Sequence, residues 1–234
     1  KVLKDPKGPL HDPTPAPRPI TVEDLMTHRS GLAYAFTSSG PIAKAHEDAL
    51  GHPLASPHHP DEWLKRIAGL PLTHPPGQQL HYSHSTEVLG FLVGRVAGKT
   101  YREFIIERIL RPLGMTDTDF HVPKEKCDRL AVLYQQDQAT GALSPADFPD
   151  FDTPQAYTAG GGGLISTLDD YLSFARMLLN KGELNGTRYL KRETFENMAR
   201  NHLTDAQREI PFLGMPMWSG RGFGLGLSMV MDEA

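Results

Sequence analysis

The residues best placed to do chemistry lie in the run Gln79-Leu80-His81-Tyr82-Ser83-His84-Ser85, which follows the turn Pro75-Pro76-Gly77 and leads into an apolar-periodic segment, residues 86–97. Proline and glycine force the chain open just before that segment. Tyr82 can therefore hold its phenol toward a cleft, where a hydroxyl with an ordinary pKa of about 10 can give or take a hydrogen bond. Position alone also allows a plainer role, with the ring half buried in the core and the hydroxyl tied to one partner.

Three other groups of residues invite a chemical reading and do not support one. His52, His58 and His59 sit in a Pro-rich loop beside no cysteine or paired carboxylate, whereas metal-binding histidines are held by supporting partners on firm elements; a surface loop is expected and no metal site. Gly160-Gly161-Gly162-Gly163 precedes a helix and could cradle phosphate through backbone N–H groups. No Gly-Lys-Ser/Thr or dinucleotide fingerprint accompanies it. The single Cys127 excludes an intramolecular disulfide and a multi-cysteine zinc site.

The elements that must position these residues can be taken in chain order. Six prolines between Pro6 and Pro19 preclude a helix or central strand, so residues 1–20 read as an extended connector. Thr21-Val22-Glu23-Asp24 has capping-box spacing with Asp in place of Glu, and the helix it opens is expected to stop at Gly31, with His28 and Ser30 at its C-terminus and Gly31 as the left-handed cap. Helices are expected over residues 42–50 and 61–69, then over 86–97 and 101–110 with a break at Gly98. Beyond the turn Arg111 to Thr118, residues 129–134 read as a strand, 137–154 as loop, 168–179 and 191–199 as helices, and 221–231 as one glycine-punctuated strand of period two.

Four of these stretches together resemble one family. Leu25-Met26-Thr27-His28-Arg29-Ser30-Gly31-Leu32, the frame Tyr82-Ser83-His84-Ser85, Pro112-Leu113-Gly114-Met115 and Gly161-Gly162-Gly163-Leu164-Ile165-Ser166-Thr167 are similar, in that order, to motifs of the serine β-lactamase and penicillin-binding-protein superfamily. The tyrosine frame looks most like family VIII carboxylesterases. The resemblance implies an α+β, transpeptidase-like fold, with a mainly helical region at residues 21–118 and a return toward an antiparallel sheet with flanking helices at residues 119–234.

It also implies a mechanism. Tyr82 becomes the catalytic tyrosine that helps move a proton to the leaving group. Tyr34, 48 positions earlier (82 − 34), His84, Gly161 and Gly162 become substrate-binding residues, Gly162 leaving the pocket wide where relatives carry an aromatic wall. The family's nucleophile, the serine of Ser-x-x-Lys, is not in this chain; Ser173-Phe174-Ala175-Arg176 comes nearest and ends in an arginine that cannot act as a base. A Lys-Thr-Gly or Trp-Gly-Gly strand is absent too. The chain is thus expected to be the middle of a longer enzyme, inactive alone, with the nucleophile a few tens of residues before Lys1.

The function this implies is a serine carboxylesterase acting through an acyl-serine on a small ester or amide, without a cofactor. A D-amino-acid peptidase, carboxypeptidase or β-lactamase stays open within the superfamily, although His84, in place of the usual asparagine, favours an esterase or transacylase. A catalytically silent binding protein with the same fold is the reading from a different class. A formal charge of −4, from 24 Lys plus Arg against 28 Asp plus Glu, gives no basic field for nucleic acid, and no apolar run approaches the roughly 18 residues that suggest a membrane span.

Overall fold

The computed structural model describes residues 1–146, 151–212 and 214–231. Helix α1 (Val22–Met26) opens with the capping box foreseen: the Thr21 side chain accepts from the Asp24 N–H, and the Asp24 carboxylate accepts from the Thr21 N–H at 2.8 Å. The helix does not run to Gly31. It ends at Met26 because the chain turns at His28, which takes the left-handed φ of 52°, and residues 28–31 then pass inward beside the Tyr82 loop.

Helices α2 (Pro41–Leu50) and α3 (Pro60–Ala68) each begin with proline, whose fixed φ suits the first helical position and whose missing N–H is no loss there. Helix α4 (Ser85–Ala97) ends at Gly98, left-handed at φ 65°, and α5 (Tyr101–Ile105) continues into a π-helical turn (Ile106–Leu110). Residues 1–20 contain no helix, and they do not run free. Val2 bridges both Thr14 and Leu72, and with Leu3 it is buried.

The later part alternates short strands and helices. Strands β1 (Tyr134–Gln136) and β2 (Leu143–Pro145) pair antiparallel, with Gln135 opposite Ser144. The strand expected at 129–134 is mostly absent: Lys124–Arg129 is a 3-10 helix, and regular pairing starts only at Tyr134. After α6 (Leu168–Leu179) come the minimal hairpin β3 (Glu183–Leu184) and β4 (Thr187–Arg188), then α7 (Arg192–Met198) and α8 (Asp205–Arg208). Residues 221–231 are not one strand but the hairpin β5 (Arg221–Phe223) and β6 (Ser228–Val230), because Gly226, at φ 81°, reverses the chain. Of the loop expected at 137–154, residues 147–150 lie outside the described residues.

Three apolar clusters hold these pieces together. The first joins α1 to α4 through Leu25, Leu50, Trp63, Ile67 and Phe91, with Tyr157 and Ala159 packed in from the later part. The second sets α5 and the following turn on α6 through Leu110, Met115 and Met177. The third, Leu80, Leu203 and Trp218 with Phe212 and Phe223 against them, lies under the Tyr82 loop. Among the described residues no helix is long and apolar enough to cross a membrane.

Candidate active site

The loop before α4 is fixed on both sides of Tyr82. The His81 N–H donates to the His28 carbonyl oxygen at 2.8 Å. The Ser83 N–H donates to His28 Nδ1 at 3.3 Å, and Thr37 Oγ1 donates to the Tyr82 carbonyl oxygen at 3.0 Å. One turn earlier, Gln207 of α8 donates its amide to the Gly77 and Gln78 carbonyl oxygens at 2.9 and 3.0 Å. Backbone groups in a loop need such partners when water is excluded.

Behind the loop runs a line of buried hydroxyls. Ser83 Oγ lies 2.9 Å from Ser85 Oγ, which lies 2.7 Å from Ser30 Oγ, and Ser30 accepts from the Leu32 N–H at 3.1 Å. All three serines are fully buried. None is a free nucleophile, since each hydroxyl is engaged with its neighbour. His28 and Ser30, read in the sequence as the end of a helix, instead lock residues 28–32 to residues 81–85.

Tyr82 itself is half-buried. Its ring meets His28, Tyr34, Phe36 and Phe212, with centroids 4.8 to 6.3 Å apart, and among the described residues its hydroxyl makes no hydrogen bond. Burial pushes the phenol above its ordinary pKa, and the Glu87 carboxylate pushes it further the same way. At neutral pH this is a protonated phenol with a free hydroxyl.

Tyr34 and His84, expected to line a substrate pocket, are both buried. Tyr34 is 3% exposed, and its hydroxyl donates to both Glu87 carboxylate oxygens, at 2.8 and 2.9 Å; burial and then Glu87 hold the phenol protonated. His84 is 2% exposed, packed edge-on against Tyr34 and Trp63 and stacked on His46. Its Nδ1 stands 3.7 Å from Glu87 Oε2, beyond hydrogen-bond length. Both side chains belong to the wall behind Tyr82 because the inward face of α4 draws them toward the core.

The glycine loop covers the same spot from above. A Cβ on Gly161 would come within 2.6 Å of Glu87 Oε1 and Thr86 Oγ1 and 2.8 Å of the Tyr34 hydroxyl, so only glycine lets this exposed backbone lie on the buried pair. Gly162 faces Leu54, whose Cδ2 would stand 2.8 Å from an added Cβ. An open groove of about 770 Å³ lies farther along, between Leu54, residues 116–133 and residues 163–167. Tyr82 is not in its lining.

Glu87 is the central residue that sequence reasoning passed over. It is 1% exposed, and it shares the buried face of α4 with Gly90, Phe91 and Gly94. That spacing was a usable signal, since residues three, four and seven apart share one helix face and two glycines on it mark close packing. Among the described residues no group of three metal-ligating side chains is placed to hold an ion; His52, His58 and His59 lie between α2 and α3.

A family model described as beta-lactamase matches residues 6–230. The chain belongs to the beta-lactamase family. It is 46% identical over 233 residues to "Protein Rv1367c" of Mycobacterium tuberculosis, covering 100% of this chain and 57% of that protein. It is 33% identical to a lovastatin esterase of Penicillium rubens (85% of this chain, 48% of the relative) and 30% identical to esterase EstB of Burkholderia gladioli (92% and 55%). The chain therefore spans about half the length of these relatives.

Among solved structures, the unliganded, selenomethionyl simvastatin synthase (LovD) of Aspergillus terreus superposes with a TM-score of 0.73 at 25% identity, over 94% of this chain and 55% of that one. EstCE1, described as a hydrolase with promiscuous acyltransferase activity, gives 0.72 at 24% identity over 97% and 60%, a likeness of fold alone. The α+β fold of the beta-lactamase and penicillin-binding-protein group is thus that of this chain.

Proposed function

We propose that this chain supplies the tyrosine-bearing part of a serine carboxylesterase. The observation that carries the reading is the contrast at Tyr82: a free, half-exposed phenol amid polar groups that are buried and already paired. The family, and the esterases among the relatives, support it. In the reaction, the oxygen of a serine from a Ser-x-x-Lys segment joined to these residues attacks the ester carbonyl. The carbonyl carbon's bond to the alkoxy oxygen breaks, and the serine's proton travels through Tyr82 to the departing alcohol. Because burial and Glu87 both raise the Tyr82 phenol, a cation beside it, supplied by that lysine, is needed before it can accept the proton.

The test is Tyr82→Phe in a polypeptide that joins these residues to the Ser-x-x-Lys segment. It should lower kcat/KM for a short-chain p-nitrophenyl ester by roughly 10²–10⁴-fold, the usual range for general acid–base catalysis, with little change in Tm. A value within about twofold of wild type, with a lowered Tm, makes Tyr82 a core residue. The 234-residue chain alone should not turn the ester over. A catalytically silent binding protein with the same fold is the second reading; it predicts that the full gene product lacks Ser-x-x-Lys and binds ligand without forming an acyl-serine.

A further inference from the structure

His28 holds Tyr82 from both sides at once. Its carbonyl oxygen takes the N–H of His81 and its Nδ1 takes the N–H of Ser83, so one residue binds the backbone immediately before and immediately after the tyrosine. The same ring packs against the Tyr82 ring, 4.8 Å between centroids and tilted by 54°. Its other side meets Phe223 of β5 at 5.9 Å, which wedges the imidazole between the loop and the later hairpin. We propose that His28 is a positioning residue for Tyr82, a clamp that fixes where the phenol points.

Three features make this more than ordinary packing. The backbone of His28 is left-handed at φ 52°, a conformation uncommon outside glycine and tolerated best by Asn, Asp and His, so a side chain is kept here against backbone preference. An N–H pointing at Nδ1 requires that nitrogen to be an unprotonated acceptor, which puts the ring proton on Nε2. Burial and the nearby His81 both favour the neutral ring over the charged one, against the pull of Glu87, and a neutral ring is what the clamp needs. The imidazole touches Tyr82 but lies on the core side of it, so it acts through the tyrosine.

This rests on the reading of Tyr82 as the proton-transfer group, and two variants in the full-length enzyme separate the clamp from that reading. His28→Gly suits the left-handed backbone and removes the whole side chain while keeping the carbonyl that takes the His81 N–H; His28→Asn also suits it and returns an acceptor at the δ position. Because misplacement of a catalytic group by about 1 Å costs on the order of 10²-fold, the glycine variant should lose roughly 10- to 100-fold in kcat for a p-nitrophenyl ester with KM nearly unchanged. The asparagine variant should recover most of that loss. Amide hydrogen exchange gives a readout independent of activity: the Ser83 N–H should exchange faster in His28→Gly and slow again in His28→Asn, and ¹⁵N spectra of the wild-type imidazole should show Nδ1 unprotonated. If Tyr82→Phe proves harmless, the esterase reading fails and the exchange data alone judge the clamp. Unchanged Ser83 exchange in His28→Gly, a protonated Nδ1, or an asparagine variant no better than glycine overturns it.

Discussion

Residues 21–118 bury more polar side chains than residues 119–231 and leave fewer large apolar ones exposed. The first region buries His28, Ser30, His46, Ser83, His84, Ser85 and Glu87, while the second buries few polar side chains, Asp170 and Gln207 among them. The second leaves more large apolar groups in water: Val132 just before β1, Leu143 on β2, Leu168, Tyr171 and Leu179 on α6, and Val230 on β6. Buried hydrogen bonds are directional, so a network of them fixes one arrangement closely, and apolar contact is not directional. The region that orients Tyr82 is built from the directional kind, and the later region contributes mainly cover: the glycine loop above, Phe212 and Phe223 below.

Acid should break this comparison most strongly. Burial holds His28 and His81 at about 4 and His46 at about 3, all below the ordinary 6.5. A histidine depressed in the folded state leaves the unfolded chain to take up more protons, so stability is complete above pH 6.5 and drains away as pH falls toward 4, and toward 3 for His46. Each tenfold difference in proton affinity between folded and unfolded chain is worth roughly 1.4 kcal/mol, so the three together should remove several kcal/mol by about pH 5. Asp24 behaves separately: burial raises it, but Arg18 and Thr21 outweigh burial and hold it at about 2, so its contribution is lost only between 3.8 and 2. Hydrogen exchange against pH should show α1 and α4 losing protection below about pH 6 while α6 keeps more of its own; equal loss in both regions would merge them into one unit.

The joint between the regions should be next. A Cβ on Gly160 would fall on the Thr86 carbonyl oxygen and within 3.1 Å of the Glu87 Cα, all backbone that cannot swing aside. Gly160→Ala should therefore destabilise by about 3 kcal/mol, at the upper end for overpacking. At Gly226, φ is 81° but nothing lies within 4 Å, so Gly226→Ala should cost only the backbone strain, about 1–2 kcal/mol. Urea denaturation of the two variants side by side checks the order, and the reverse order would mean the glycine loop is not the joint.

What the sequence disclosed follows the same division. Features set by residues a few positions apart were legible: the Thr21–Asp24 box, the helices over residues 42–50 and 61–69, the break at Gly98. Features set by distant partners were not. The end of α1 depends on His28 reaching residues 81 and 83; residues 130–132 are apolar enough for a strand but pair with none among the described residues; the alternation in 221–231 continued through a glycine that folds it back. Tyr82 stood out in the sequence by type and surroundings, and the structure leaves its hydroxyl without a hydrogen bond among the described residues. The Tyr34 hydroxyl is held by Glu87, a charged residue on an apolar face that sequence reading treats as solvent-facing by habit.

A smaller effect tests whether Glu87 is the centre of that wall. Tyr34→Phe keeps the ring and removes the donor, leaving a carboxylate that is 1% exposed without its closest partner. A hydrogen bond to a charged group contributes about 1.5–3 kcal/mol, so stability should fall by about 2 kcal/mol. Glu87→Gln alone should also destabilise, and the double variant should lose less than the sum of the two, as contacting partners do in a double-mutant cycle. Additive losses would show that the pair does not act together.

The smallest effect should come from the exposed face of α6. Leu168 and Leu179 are 83% and 82% exposed, so replacing either with glutamine returns almost no buried apolar area to water. Leucine and glutamine differ little in helix propensity, and surface changes of this kind stay within about 0.5 kcal/mol. Leu168→Gln/Leu179→Gln should therefore leave the urea midpoint almost unmoved, in contrast to Gly160→Ala and Tyr34→Phe, while lowering self-association in sedimentation. A loss above about 1 kcal/mol would mean that these leucines are packed in solution. The contrast between an inward-looking first region and an outward-looking second one would then hold only for the isolated chain, because something covers α6.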